Sequence, residues 1–239
     1  MEGQLQKLVR CGFMSSTSPR AGAPRLTLKG ERTRERIISS AADLMFTHGV
    51  SATTIDDVRA AAGVSASQLY HYFSDKTALV HAVIRYQADR VVGSQEPSLA
   101  HLDSIQGLRA WRDSVVEMQR QAQCRGGCPI GSLVGELADQ DEQARFDIAA
   151  GFERWRAGIR SGLRAMRDRG HLVSAADPDN LALATLAAIQ GGLLLGQVQR
   201  TTQPLEAALD AMIALIESLT QPIPESGATE AHAAVDGSQ

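Results

Sequence analysis

Residues 64–76, VSASQLYHYFSDK, crowd a glutamine, two tyrosines, a histidine, a lysine and several serines into one short stretch. The whole chain has three Tyr, five Phe and two Trp, yet Tyr70, Tyr72 and Phe73 lie within four residues of one another. A packed core accounts for Phe73 but has little use for the polar groups beside it. What those groups share is the capacity to hydrogen-bond to a charged polymer that displays base edges. The amide of Gln68 matches the N6 and N7 edge of adenine in a major groove. Tyr70, His71 and Tyr72 can donate to phosphate oxygens or lie against a thymine methyl, and Lys76 can neutralise one phosphate. Ser65 and Ser67 are small, so a helix N-terminus there can bring its free N–H groups close to a phosphate. Thr54 offers a hydroxyl and a backbone N–H at the start of another helix in the same way.

These side chains can act together only if the opposite side of their helix is anchored. Leu69 and Phe73, four apart, share a face that can pack on Ile38, Ile55 and Val58. With those two inward, Ser67, Gln68, Tyr70 and His71 point away from the core and Tyr72 lies at the edge. The flanking punctuation fits. TRERIISSAADLMFTHG reads as a helix capped by Thr33, with Ile37, Ile38, Ala41, Leu44 and Met45 on one stripe and a stop at Gly49. TIDDVRAAAG opens at Thr54, carries Asp56 and Asp57 in its first turn, where the helix dipole favours acids, and ends at Gly63. Ser65 with Gln68 three residues later has capping-box spacing. Ser74 and Asp75 open a fourth helix running to about Gln95. Helix, short helix, glycine turn and short helix make the helix-turn-helix arrangement.

The rest of the chain also reads as helix. GSQEPSLAHLDS has the breaker content of a junction, and helices are expected near 103–123, 130–140, 143–169, 178–199 and 203–220, punctuated by Gly170, Pro178 and Pro204. The fold class is therefore all-α, with about nine helices. A mobile arm is expected over residues 1–30, a helix-turn-helix domain over 31–76, a larger helical domain over 77–221 and a disordered tail over 222–239. Met14 is an alternative start.

Composition excludes several classes. The formal net charge of −3 is wrong for a general nucleic-acid glue, but the charge is unevenly placed. Residues 1–95 hold 12 Lys+Arg against 8 Asp+Glu, and the remainder holds 12 against 19. The front end is the part suited to a polyanion. Three cysteines are too few for a disulfide scaffold. The first residues lack the apolar run of a secretory signal. The most apolar segment, Leu181 to Val198, is at the short limit for a membrane span and reads as a buried helix, so a cytoplasmic protein is expected. No nucleophile motif, phosphate loop or carboxylate pair at helical spacing supports an enzyme. A metal site would need two more soft ligands beside Cys124 and Cys128, and none lies near them in sequence. No cofactor is expected.

Residues 33–80 resemble the DNA-binding domain of the tetracycline-repressor (TetR) family of transcription factors. The resemblance is carried by RERIISSAADLMFTHGVSATTIDDVRAAAGVSASQLYHYFSDKTALV. It implies that Thr54, Ser67, Gln68, Tyr70, His71, Tyr72 and Lys76 lie where family members often touch double-stranded operator DNA, beside Ser65 at the helix N-terminus. The family often has Gly and Thr where this chain has Ser67 and Gln68, which bears on base preference. It also implies a homodimer through the last two long helices, about 178–199 and 203–220. Their composition agrees: LALATLAAIQGGLLLGQV is apolar almost all round, with Ala188, Gly192 and Gly196 in a small-residue row. The last helix carries Leu205, Leu209, Met212, Ile213 and Ile216 on one stripe.

CRGGCPIGSLVGELADQDEQAR is similar to the regulatory half of LmrA/YxaF-like regulators, and the similarity extends through FERWRAGIRSGLRAMRDRGHL. It implies a small-molecule effector, for which Trp111, Met118, Phe146, Phe152 and Trp155 are the large apolar candidates to line a cavity. The expected function is thus a ligand-responsive repressor. The alternative is a redox or electrophile sensor using Cys124 and Cys128, weighed against plain buried thiols at a glycine-rich junction.

Overall fold

The computed structural model describes residues 26–221, and among these the chain forms nine α-helices and no strand. The two expected terminal segments fall mostly outside the described residues. The first helix, α1 (Leu28–His48), starts six residues before the expected point. Thr27, not Thr33, is its cap, accepting from the Gly30 N–H, while the Thr33 hydroxyl bonds back to the Lys29 carbonyl inside the helix. Residues 28–30 therefore belong to α1 and not to the arm. α2 (Ile55–Ala62) and α3 (Ala66–Tyr72) follow, each opened by the expected cap. Between them Gly63 takes a left-handed conformation (φ 62, ψ 44), which a β-carbon disfavours. The Val64 N–H then bonds to the Arg59 carbonyl, so the helix ends in a closed turn and the chain reverses.

α4 (Lys76–Leu99) joins the two parts of the molecule. It passes straight through the expected junction, including Pro97. The carbonyl that Pro97 leaves without a donor is that of Gly93, an exposed residue where water can replace it, while Gln95, Leu99 and Leu102 are buried and hold the last turn in place. α5 (Ile105–Gln121) is followed by a glycine-rich loop, a short 3-10 turn (Gly131–Leu133) and α6 (Val134–Leu137). The longest helix, α7 (Glu142–Asp168), packs on α4, and α8 (Pro178–Gln199) and α9 (Gln203–Ser218) form an antiparallel pair at the end of the chain.

A single apolar cluster runs from Ile37, Val58, Leu69 and Phe73 through Leu79, Val83 and Ile84 of α4 to Trp111, Ile159, Leu163, Ile189 and Leu209. α5 is fastened to α9 by a bidentate Arg112–Asp210 pair and by Arg109 Nη2, which donates to both Glu217 carboxylate oxygens, with N–O distances of 2.8–3.0 Å. α8 is long and apolar enough to cross a membrane, but its Leu181, Leu186, Ile189 and Leu193 are buried in this core. The small-residue row on α8 has a different use from the one expected. A β-carbon at Gly192 would lie 2.6 Å from the Leu205 Cα, and one at Gly196 would lie 2.9 Å from the Thr201 carbonyl. These glycines let α9 close onto α8 within one subunit. The face of α8 left open carries Leu183, Leu194, Leu195 and Val198 instead.

Candidate nucleic-acid interface and central cavity

Burial fixes the orientation of α3. Leu69 is fully buried and Phe73 nearly so, with Val58, Ile38 and partly buried Ile55 in the same cluster. The Arg34 guanidinium lies 5.4 Å from the centre of the Phe73 ring and covers it from α1. Ser65, Ser67, Gln68, Tyr70 and His71 are all exposed, Tyr70 at 53%. Seven residues of helix thus present one polar edge to solvent, at the N-terminal half of a molecule whose basic excess is also N-terminal.

Within that edge the side chains are not equally free. Gln68 completes a capping box: its Oε1 accepts from the Ser65 N–H at 2.9 Å, and its own N–H donates to Ser65 Oγ. One half of the amide needed for a bidentate adenine contact is therefore occupied, and only Nε2 remains to donate. Thr54 is similarly engaged. Its N–H and its hydroxyl both donate to Asp57 Oδ2, at 2.9 and 2.6 Å. These bonds hold the Asp57 carboxyl below its ordinary range. Neither Thr54 donor can reach a phosphate without displacing a carboxylate. Tyr72 is half-buried: its hydroxyl approaches Gly30 at the start of α1, and its ring meets His71 edge-on at 4.9 Å. Lys76 is also half-buried, with its ammonium 3.4 Å from the Ser51 carbonyl. The Ser67 hydroxyl pairs with Ser65 Oγ at 3.1 Å, so the freest groups are Tyr70 and His71.

The chain belongs to the TetR family. Residues 37–83 match the model for bacterial regulatory proteins of the tetR family, and residues 104–212 match that for the tetracyclin repressor-like C-terminal domain. An HTH-type transcriptional regulator of Mycobacterium tuberculosis, Rv0196, is 30% identical over 186 residues, covering 72% of this chain and 88% of the relative. The HTH-type transcriptional repressor DhaR of a Mycobacterium species is 22% identical over 193 residues, covering 80% and 95%. Among solved structures, a TetR transcriptional regulator from Chloroflexus aurantiacus superposes with a TM-score of 0.69 at 28% identity, covering 81% of this chain and 98% of that one. The protein is thus a DNA-binding transcriptional regulator of the TetR family, with an N-terminal helix-turn-helix domain and a helical C-terminal domain.

In the C-terminal domain a cavity of about 490 Å³ opens between α1, α4, α5, α7 and α8. Of the large apolar candidates, Met118 and Trp155 line it. The other three aromatic candidates do not. Trp111 is fully buried behind the wall and donates its indole N–H to Gln95 Oε1 at 3.0 Å. Phe146 is 52% exposed on the outside of α7, beneath the Arg145 guanidinium. Phe152 is partly buried against the core and does not line the cavity. Periodicity identified large apolar residues but could not tell inner wall from second layer.

The two thiols face different spaces. Cys128 lines the central cavity, while Cys124 borders clefts beside Gly192 and Thr201. Both are buried, and burial pushes the Cys128 thiol up, away from the reactive thiolate. This environment favours packing over redox sensing. Two further features left no trace in local sequence. Asp43 and Phe46 of α1, in the DNA-binding domain, form part of the cavity wall. Glu136 of α6 reaches across the molecule to accept from the Val50 and Ser51 N–H groups, both at 2.8 Å, at the turn between α1 and α2.

Proposed function

We propose that the protein is a cytoplasmic homodimeric repressor that two copies of α3 seat in successive major grooves of a roughly palindromic operator, and that a small molecule in the central cavity releases. The observation that carries this reading is the orientation of α3, with Leu69 and Phe73 inward and Ser67, Tyr70 and His71 outward. A reading edge this short covers few base pairs, so two copies one helical turn apart are needed for specificity. Pairing is supported by the exposed apolar side chains of α8 and α9, Leu183, Leu194, Leu195, Val198 and Leu215. Release is supported by the cavity wall itself: residues of the DNA-binding domain and of the regulatory domain share it, so an occupant acts on both.

The test uses a DNA fragment selected from genomic DNA by the wild-type protein. Retardation on gels should be salt-dependent. Replacing Tyr70 and His71 together with Ala should weaken binding by about 100-fold, as expected for loss of two groove contacts, with elution volume in size-exclusion chromatography unchanged. Undiminished retardation of that fragment by the double variant refutes the assignment of α3 as the reading helix.

A further inference from the structure

The central cavity carries a charge bias that its apolar wall does not explain. The inference drawn from it rests on the reading of that cavity as the effector site. Val91, Val115, Met118, Trp155 and Leu193 give it an apolar side. Three charged residues also line it, Arg90, Arg125 and Asp43. Arg90 meets Asp43 only at 3.9 Å, with both side chains more than half exposed, so the pair is loose. Arg125 forms no salt bridge among the described residues. It also borders a neighbouring cleft with Arg120, which Glu117 and Glu206 neutralise, and with Arg200, which donates to the Cys124 carbonyl and adds positive potential on that side. Two guanidinium groups therefore stand against one carboxylate.

We propose that this cavity takes a small amphiphilic carboxylate, its apolar body against Trp155 and Leu193 and its carboxylate at Arg90 and Arg125. Burial of the apolar body favours any molecule of suitable size equally. The carboxylate adds charge-assisted hydrogen bonds that a neutral analogue cannot make. It also competes with Asp43 for Arg90. Asp43 is on α1 and Arg90 on α4, so binding replaces a tie between the DNA-binding domain and its connecting helix. Phe46, on the same wall, packs against the Gly126 position of the arginine-bearing turn, so the occupant also presses on α1 directly.

Calorimetric titration of the full chain with octanoate, octan-1-ol and octylammonium at one ionic strength separates the possibilities. Octanoate should bind about tenfold more tightly than octanol, the discount from a buried charge pair reflecting solvent exposure of the arginines, and octylammonium should bind most weakly. Arg125→Ala and Arg90→Ala should each lower octanoate towards the octanol level. Met118→Trp, which fills the cavity, should weaken octanoate and octanol alike. Equal binding of octanoate and octanol, tighter binding of octylammonium, or an octanoate preference that survives both arginine replacements overturns the anion assignment and leaves the cavity assignment standing. Failure of all three probes to bind overturns the cavity assignment, and the proposal with it.

Discussion

At the scale of single residues, two glycines with positive φ show how different physical demands select the same amino acid. Gly63 has φ 62 and no neighbour within 4 Å of the position a β-carbon would take. Its requirement is conformational alone. Gly63→Ala should therefore cost about 1 kcal/mol, the ordinary penalty for a β-carbon in the left-handed region. Gly126 has φ 78, and a β-carbon there would lie 2.1 Å from the Phe46 Cζ. Gly126→Ala meets the same backbone strain and in addition must displace an aromatic ring on the cavity wall, so about 2–4 kcal/mol is expected. Thermal unfolding of the two variants side by side checks the order, and equal losses would show that Phe46 swings aside freely. Gly63 was legible in sequence because a helix stop, an apolar plug and a cap follow one another there. Gly126 was not, because its partner is eighty residues away along the chain.

At the scale of elements, the contact of α6 with the α1–α2 turn joins the regulatory domain to the DNA-binding domain. Burial raises the Glu136 carboxyl, but the Ser51 and Val50 N–H groups and nearby Lys76 outweigh it, and the group sits below its ordinary range. A carboxylate whose folded value is depressed contributes stability above its unfolded value, and that contribution is lost as pH falls through the folded one. Two charge-assisted bonds at a half-exposed site amount to about 1–2 kcal/mol after discounting for solvent. Glu136→Gln, which keeps the shape but can accept at only one atom, should lower the thermal midpoint at neutral pH, and the gap to wild type should close as pH falls below about 4. A gap independent of pH would show that the charge on Glu136 is not what holds the turn. Amide exchange at Val50 and Ser51 should speed up in the variant in parallel. Helix ends such as Gly170, Pro178 and Pro204 are local signals, and α7, α8 and α9 lie within a few residues of the expected positions. The Glu136 contact joins residues 85 and 86 positions apart and leaves no periodic or capping sign. The start of α1 differs because Thr27, not Thr33, accepts from the Gly30 N–H, while the Thr33 hydroxyl bonds back inside the helix.

At the scale of the whole molecule, the open faces of α8 and α9 decide whether two reading helices act as one. α8 turns Leu181, Leu186, Ile189 and Leu193 to the core and leaves Leu194, Leu195 and Val198 at 63%, 51% and 76% exposure. On α9, Leu215 is 46% exposed while Leu209 and Ile213 are buried. Gly192 and Gly196 are consumed by packing within the subunit, so the proposed dimer contact falls on the other, leucine-rich side of α8. Leu195→Glu places a charge at its centre, where desolvation without a partner opposes pairing by several kcal/mol. The substituted side chain points to solvent in the isolated subunit, so fold and melting of the monomer are spared. Size-exclusion chromatography with light scattering should then report a monomer, against the dimer expected of wild type. Operator affinity should fall steeply, because each α3 must find its half-site without the other holding it in place, and the salt dependence should weaken as fewer phosphates are met together. Tyr70 and His71 are untouched in this variant, so loss of operator binding traces to the subunit contact and not to the reading edge. A Leu195→Glu chain that still elutes as a dimer would move the interface off this face, and one that is monomeric yet binds operator at wild-type strength would remove the need for two copies altogether.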